Sequence, residues 1–236
     1  MARRKEIRWE EYHDHLTITP TQHTLDFGPY YNIKPQQKKP IVVIEKDGQY
    51  IASHMYWGIM SKFGKLMINA RDDRLWTSAK GNYPSMWRKM ATSTRCLIFA
   101  DGFYEPEGSK EDNTKRPWHF FQLPDEATFA FGGLWTENTD PETGEVTEGF
   151  VIITTDATDA MRPIHNRHPL MLKPEQWGQW LNHKNNNSEA FLDEFMRPWD
   201  GHPLDHWRVS DRAKNWRNDD QQCIAKYKTQ KTGSLF

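Results

Sequence analysis

Apolar, β-branched and aromatic residues in this chain come in short runs, each cut off by a turn-forming pair or a polar loop. That pattern suits strands more than helices and restricts the chain to a sheet-rich fold. Pro40–Glu45 is followed by Asp47-Gly48, a pair suited to positive φ, and Tyr50–Met60 continues in extended fashion, which predicts a hairpin. Arg95–Phe99 leads into Asp101-Gly102, which reads as a turn. Trp118–Leu123, Thr128–Leu134 and Phe150–Thr154 read as further strands, with Asn138–Glu148 an exposed hairpin loop on composition. Helical signals are fewer. Lys173-Pro174-Glu175 opens a helix through Trp177, Trp180 and Leu181, with proline near its first position. Past the polar loop Asn185–Asn187, Ser188 caps a second helix carrying Phe191, Leu192 and Phe195. Many strands with scattered helices predict an α+β class in one domain spanning 1–236.

Only 36% of the 236 residues are apolar, but 11 tryptophans each bury a large area, so a core is available. No apolar stretch approaches the roughly 20 residues that span a bilayer. The basic start Met1-Ala2-Arg3-Arg4-Lys5 has no apolar region behind it, unlike a secretory signal. Cys96 and Cys223 lie far apart and show no metal-ligand spacing. A cytoplasmic protein without membrane contact, metal or cofactor is the expectation. The net charge of -1 argues against generic nucleic-acid binding, but the charge is unevenly spread. Lys and Arg exceed Asp and Glu by 7 over residues 1–100, the acids exceed by 11 over 101–160, and the bases exceed by 3 thereafter. A local anion-binding face on a neutral protein fits this distribution, and so do solvated acidic loops in the middle window.

Four polar clusters interrupt the apolar runs: Tyr31–Pro35, Ile68–Asp72, Ala100–Glu105 and Arg162–Pro169. Glu105 ends an apolar run beside Phe103 and Tyr104. It is either a surface glutamate at a strand end or a partly desolvated carboxyl whose raised pKa suits proton exchange. His165 and His168 flank Asn166 and Arg167. They read as ordinary loop histidines, or as a proton shuttle beside an anion-binding arginine; acidic or cysteine partners for a metal are lacking. Asn69 and Arg71 alternate along an extended segment and face one side. An Arg fork toward phosphate and an ion pair with Asp72 or Asp73 are equally open readings. Trp57, next to Gly58, is either core or a platform for a base.

In this order the clusters resemble the SOS-response-associated peptidase (SRAP) family. Its pattern runs Met-Cys-Gly-Arg, Tyr-Asn-Ile-x-Pro, Trp-Gly-Leu, Asn-Ala-Arg, Asp-Gly-Phe-Tyr-Glu-Trp, Phe-Ala-Gly-Leu-Trp, Ile-Ile-Thr and Ile-His-x-Arg-Met-Pro. The chain carries Tyr31-Asn32-Ile33-Lys34-Pro35, Trp57-Gly58-Ile59, Asn69-Ala70-Arg71 and Asp101-Gly102-Phe103-Tyr104-Glu105. Phe131-Gly132-Gly133-Leu134-Trp135, Ile152-Ile153-Thr154-Thr155 and Ile164-His165-Asn166-Arg167-His168-Pro169 follow, and Val209-Ser210 with Asn215–Asp219 resemble the family's ending. The resemblance implies a barrel-like mixed sheet with helices around it. It also implies recognition of abasic sites in single-stranded DNA, by a monomer located with DNA in the cytoplasm.

In the family, as the resemblance implies, the first methionine is removed and the exposed cysteine traps the sugar aldehyde in a crosslink. Carried over, position 2 is the reacting residue, Asn69 positions it, Glu105 is the acid/base group, and His165 assists ring opening. Arg4, Asn32, Pro35, Trp57, Arg71 and Arg167 are the implied DNA contacts. The chain departs from the family at its start: Ala2 replaces the cysteine, and Arg3 replaces a small residue. Three readings follow: an abasic-site enzyme reduced to a reversible Schiff base, a non-catalytic single-strand binder, or a peptidase. The last is disfavoured because no Ser/His/Asp arrangement or zinc motif is visible.

Overall fold

The computed structural model describes residues 1–6, 14–20, 25–26, 28–61, 63–76, 85–108, 116–139 and 143–228. In chain order its strands are β1 (Ile18–Pro20), β2 (Ile41–Lys46), β3 (Gln49–His54), β4 (Tyr56–Trp57), β5 (Ile59–Met60), β6 (Leu66–Met67) and β7 (Asn69–Arg71). After helix α1 (Trp87–Ser93) come β8 (Arg95–Ala100), β9 (Phe103–Pro106), β10 (Trp118–Gln122), β11 (Phe129–Thr139), β12 (Val146–Asp156), β13 (Arg167–Pro169) and β14 (Met171–Leu172). Helices α2 (Pro174–Leu181) and α3 (Glu189–Asp193) and strand β15 (Asp205–Val209) complete the set.

One curled mixed sheet dominates, in the order β1-β3-β2-β8-β11-β12-β13, with β14 also paired to β11 and β4 and β7 running parallel to β12. A second sheet, β15-β10-β9, packs beside it, and β5-β6 form a small hairpin. Central strand β8 is buried at all its positions because both of its faces are covered. Leu97 and Phe99 enter one core with Val43, Val151, Ile153, Trp177 and Trp180; Cys96, Ile98 and Ala100 enter the other with Val42, Phe131, Phe150 and Ile152. The period of two thus sorts each central strand's side chains between a helix-covered face and a face turned to the second sheet. Gly133 serves this crossing, since a Cβ there would lie 2.4 Å from Ile98 Cδ1 and 2.6 Å from the Val151 carbonyl oxygen.

Arg95, on the helix-covered face, is 1% exposed and finds no carboxylate among the described residues. Its guanidinium donates to the carbonyls of Trp180 (2.5 Å), Ala91 (2.8 Å) and Asn186 (2.7 Å). It therefore closes the ends of α1 and α2, where helix carbonyls lack internal donors.

The α+β class and the β-rich core agree with the sequence. The extended reading of Tyr50–Met60 breaks into three strands, because Gly58 adopts φ +132°, a region closed to side-chain-bearing residues. The Asn138–Glu148 loop is shorter than expected: β11 runs to Thr139 and β12 starts at Val146, with 140–142 outside the described residues. Ser188 caps α3 through a bond from the Phe191 amide to its hydroxyl, but the helix ends before Phe195. α1 was not foreseen, although Ser85 caps its start: the Trp87 amide donates to the Ser85 hydroxyl at 3.2 Å.

Candidate active site

The first residues of the chain are threaded into the fold as a short extended strip. The Met1 α-amine donates to the Ile33 carbonyl (2.9 Å), and the Ile33 amide returns a bond to the Met1 carbonyl (2.8 Å). Ala2 donates to the Gly102 carbonyl (2.7 Å) and accepts from the Asp101 amide (3.1 Å); Arg3 and Tyr30 exchange a reciprocal pair at 2.8 Å. Ala2 is fully buried, packed with Phe120, Val209, Ala213 and Cys223. Gly102 is needed here for close approach and not for a turn, as a Cβ would lie 2.1 Å from Phe120 Cζ.

Two motifs that read as site residues hold this strip in place. Arg4 Nε pairs with Asp101 Oδ1 at 2.8 Å, its guanidinium also reaches Gln122 Oε1 at 3.1 Å, and only 7% of the side chain is exposed. Asn32, 1% exposed, donates through its amide to the Asn215 and Asn218 carbonyls (3.1 and 2.8 Å). The Tyr31 and Asn32 amides meanwhile donate to the Asp219 carboxylate. Arg4 and Asn32 therefore sit, largely buried, in the framework around the site. Arg3 turns elsewhere: it donates to the Asp26 carbonyl (2.8 Å), lies over the Tyr30 ring (5.4 Å), and does not line the cavity described next.

The threaded strip ends in a cavity of about 200 Å³, room for roughly six or seven waters. Met1, Lys34, Pro35, Trp57, Asn69 and Glu105 line it, with Tyr104, Trp118 and Phe131 among the aromatic walls. β9 carries Glu105, and β10 places His119 opposite it in the ladder. β7 carries Asn69 and Arg71 to one side of the sheet, and β4 carries Trp57, whose indole N–H donates to the Ile68 carbonyl at 3.0 Å.

Burial pushes the Glu105 carboxyl up to about 8, partly offset by the nearby N-terminal amine and Arg116. Burial pulls the Met1 amine down to about 4, and the nearby Lys34 ammonium lowers it further. At neutral pH the pair is thus an uncharged acid facing an uncharged amine. His165 Nδ1 lies 3.8 Å from Glu105 Oε2 and accepts the Arg167 amide at 3.2 Å, so it stands behind the carboxyl, outside the cavity lining. His168, by contrast, is a core residue: it is fully buried, its Nδ1 lies 2.5 Å from the Pro169 carbonyl, and burial lowers its pKa to about 4.

A second hollow, of about 500 Å³, opens beside Arg71 and Arg167. Arg71 makes a two-pronged pair with Asp73 (2.8 Å each), as one of the two sequence readings held. Arg167 pairs with Asp72 (2.5 Å) and Asp156 (2.9 Å). The structure thus brings Met1, Pro35, Trp57, Asn69 and Glu105 into one cavity, with His165 behind it and Arg71 and Arg167 in a separate hollow. Sequence reasoning missed Lys34, Tyr104 and Trp118 as cavity walls. The signal available was Lys34's place inside the Tyr31–Pro35 motif.

Among the described residues no helix is long and apolar enough to cross a membrane, and no group of His, Cys, Asp and Glu could hold a metal. In its fold the chain is similar to a solved structure of a protein from Bacteroides thetaiotaomicron, with TM-score 0.64 and 23% identity over 79% of this chain and 80% of that one. In sequence it is similar to the abasic site processing protein YoqW of Bacillus subtilis, 32% identical over 206 residues covering 84% of this chain and 87% of the relative. It is also similar to the abasic site processing protein YedK of Escherichia coli, 29% identical over 164 residues covering 68% of each. The model of the family described as SOS response associated peptidase (SRAP) matches residues 2–216. With that match running across nearly the whole chain and along the strands that build the cavity, the protein belongs to the SRAP family.

Proposed function

We propose that the cavity receives the sugar of an abasic site in single-stranded DNA and that an amine at the chain's start forms a reversible imine with its aldehyde. One observation carries the reading: the chain's first residue and Glu105 line one half-open, mostly apolar cavity, where burial favours the neutral form of both the amine and the carboxyl. The names of the relatives, all abasic site processing proteins, agree with it. The amine's lone pair attacks the aldehyde carbon while Glu105 gives a proton to the carbonyl oxygen. The nitrogen's two protons then leave it, one restoring the Glu105 carboxyl and one departing with the water as C=N forms, while His165 backs the carboxyl from 3.8 Å. Asn69 offers amide donors for the sugar, and Trp57 and Pro35 wall the cavity's apolar side. Arg71 and Arg167 take phosphates once their carboxylate partners yield. The protein acts as a monomer associated with DNA.

With Met1 in place, its α-amine is the reacting group. With Met1 removed, the Ala2 nitrogen, now bonded to Gly102, takes that role. The Met1 side chain, 5% exposed and lining the cavity, favours a second reading for the untrimmed chain, in which abasic DNA is bound without covalent chemistry. Ala2 supplies no thiol, so the imine cannot close to a stable ring.

Intact-mass measurement after incubation with an abasic oligonucleotide separates these readings. An adduct only after borohydride reduction supports the imine. Binding without an adduct under any condition supports the second reading. Neither binding nor an adduct overturns both. Ala2→Cys, in protein shown to lack Met1, should give an adduct that survives heating without reduction.

A further inference from the structure

Lys34 is a partly buried cation on the cavity wall. Lysine is rarely buried without a partner, because removing an ammonium from water costs several kcal/mol. Yet Lys34 lines the cavity, and no carboxylate pairs with it among the described residues. Its Nζ donates to the Ala213 carbonyl at 2.7 Å and lies 4.1 Å from the Trp118 ring centroid and 5.5 Å from that of Tyr104. A carbonyl and two ring faces hold a cation weakly compared with a carboxylate. Burial is the main reason the Lys34 pKa falls to about 8. A lysine desolvated against apolar walls is an arrangement that activates an amine as a nucleophile.

We propose that Lys34 is a second imine-forming amine of this cavity, a catalytic residue that captures the aldehyde of the bound sugar through Nζ. This deepens the reading above and rests on it for the identity of the substrate. The neutral amine attacks the aldehyde carbon, and an N–C bond forms as the C=O π pair moves to oxygen. That oxygen takes a proton from Glu105, and the nitrogen loses one to the Glu105 carboxylate. The resulting carbinolamine then expels water, its hydroxyl leaving with a proton as C=N forms. No oxidant or reductant enters. The lost position-2 thiol is not replaced by this route, because Nζ makes one bond to the sugar carbon where an amine and a thiol on one residue make two. Lys34 instead provides an amine that remains in the cavity whatever happens to Met1.

Two measurements on the full-length chain test the assignment. In the first, the folded protein is treated at pH 7.5 with propionaldehyde and cyanoborohydride, and labelled lysines are mapped by peptide mass spectrometry. Lys34 should be labelled about tenfold faster than exposed lysines, because its neutral fraction is roughly a hundredfold larger than that of an amine of pKa near 10.4. In the second, an abasic single strand is trapped with borohydride and the adduct is mapped in the unmodified chain and in Lys34→Arg. The expected result is an adduct on the peptide containing Lys34, lost at least tenfold in Lys34→Arg while noncovalent binding of the strand changes less than threefold. An adduct confined to the N-terminal amine overturns the proposal and leaves the abasic-site reading intact. Preferential propionaldehyde labelling of Lys34 with no DNA adduct anywhere upholds the reactive amine and overturns the substrate. Labelling of Lys34 no faster than exposed lysines, with no DNA adduct on its peptide, overturns the proposal outright. The mapping on the unmodified chain decides the matter even if Lys34→Arg fails to fold.

Discussion

The cavity and the arginine hollow treat charge in opposite ways. In the cavity, Met1, Lys34 and Glu105 are taken out of water with few formal partners, and each shifts toward its neutral form. In the hollow, Arg71 and Arg167 stay charged, each held by aspartates, and Arg71 is half exposed. On the proposed reading, the difference separates chemistry from attachment. Groups that must donate or accept a proton or electron pair gain from burial without partners. Groups that recognise a polyanion gain from staying charged, with exposed pairs that are weak enough to exchange.

The largest expected effect breaks the cavity half of this contrast. Glu105→Gln keeps the shape but removes the exchangeable proton. Borohydride capture of abasic DNA should slow by roughly 10²–10⁴-fold, while fluorescence anisotropy shows affinity nearly unchanged. Unfolding of the variant would instead mark Glu105 as structural.

Gly102→Val attacks the seat of the strip. The new side chain meets the Phe120 ring, and overpacking of this kind costs about 1–3 kcal/mol. At a few degrees per kcal/mol for a chain of this size, Tm should fall by several degrees in a thermal melt. The N-terminal amine should also become open to acylation at neutral pH.

The pH dependence of stability sharpens the contrast further. Glu105 rises from an ordinary 4.5 to about 8, so between those values the folded protein holds the extra proton. Its contribution is full below pH 4.5 and is lost as pH climbs through 8. The N-terminal amine falls from 8.0 to about 4, so the unfolded chain holds the extra proton in nearly the same window. Its contribution is present above pH 8 and is lost as pH falls through 4. The two oppose each other in the unmodified protein, whose stability should vary little from this source. In Glu105→Gln the amine acts unopposed, joined below pH 6.5 by His168, and urea midpoints should rise from pH 5 to pH 8. Each proton contributes at most about 1.4 kcal/mol per pH unit.

The smallest effect probes the hollow. Arg71→Ala should weaken single-stranded DNA of any sequence alike, and the slope of log affinity against log salt should shrink by about 0.7. An unchanged slope would mean that Asp73 never releases Arg71.

Much of the fold was legible because alternation is a local property. Val42/Val43 and Leu97/Ile98 announce strands whichever core they enter. α1 was not, since Ser85 is its one short-range start signal and its burial depends on β8 and β11. At the site, Glu105 was legible from an apolar run ending in a carboxyl beside two aromatics. Arg4 and Asn32 were legible as members of motifs but not in their placement. Their partners, Asp101 and the 215–219 segment, lie far along the chain, and residue type alone cannot separate an arginine facing phosphate from one clasping a buried aspartate. Lys34 was likewise marked by its motif but not in its surroundings. Its isolation from carboxylates is a property of what Trp118 and Ala213 bring to it.

The threading of the first residues also has a consequence in time. Arg4 waits for Asp101, 97 positions later in the chain, before it can be clasped, and Ala2 waits for Gly102. During synthesis the leading end therefore stays loose until the strands that receive it have emerged and paired. An aminopeptidase that trims the first residue has that interval in which to work, because afterwards the amine faces inward against Ile33. Under the proposed function, trimming would compete with folding, and the outcome would decide which nitrogen the cavity carries. Slower translation or a delayed closure would shift a population of otherwise identical chains from one form to the other.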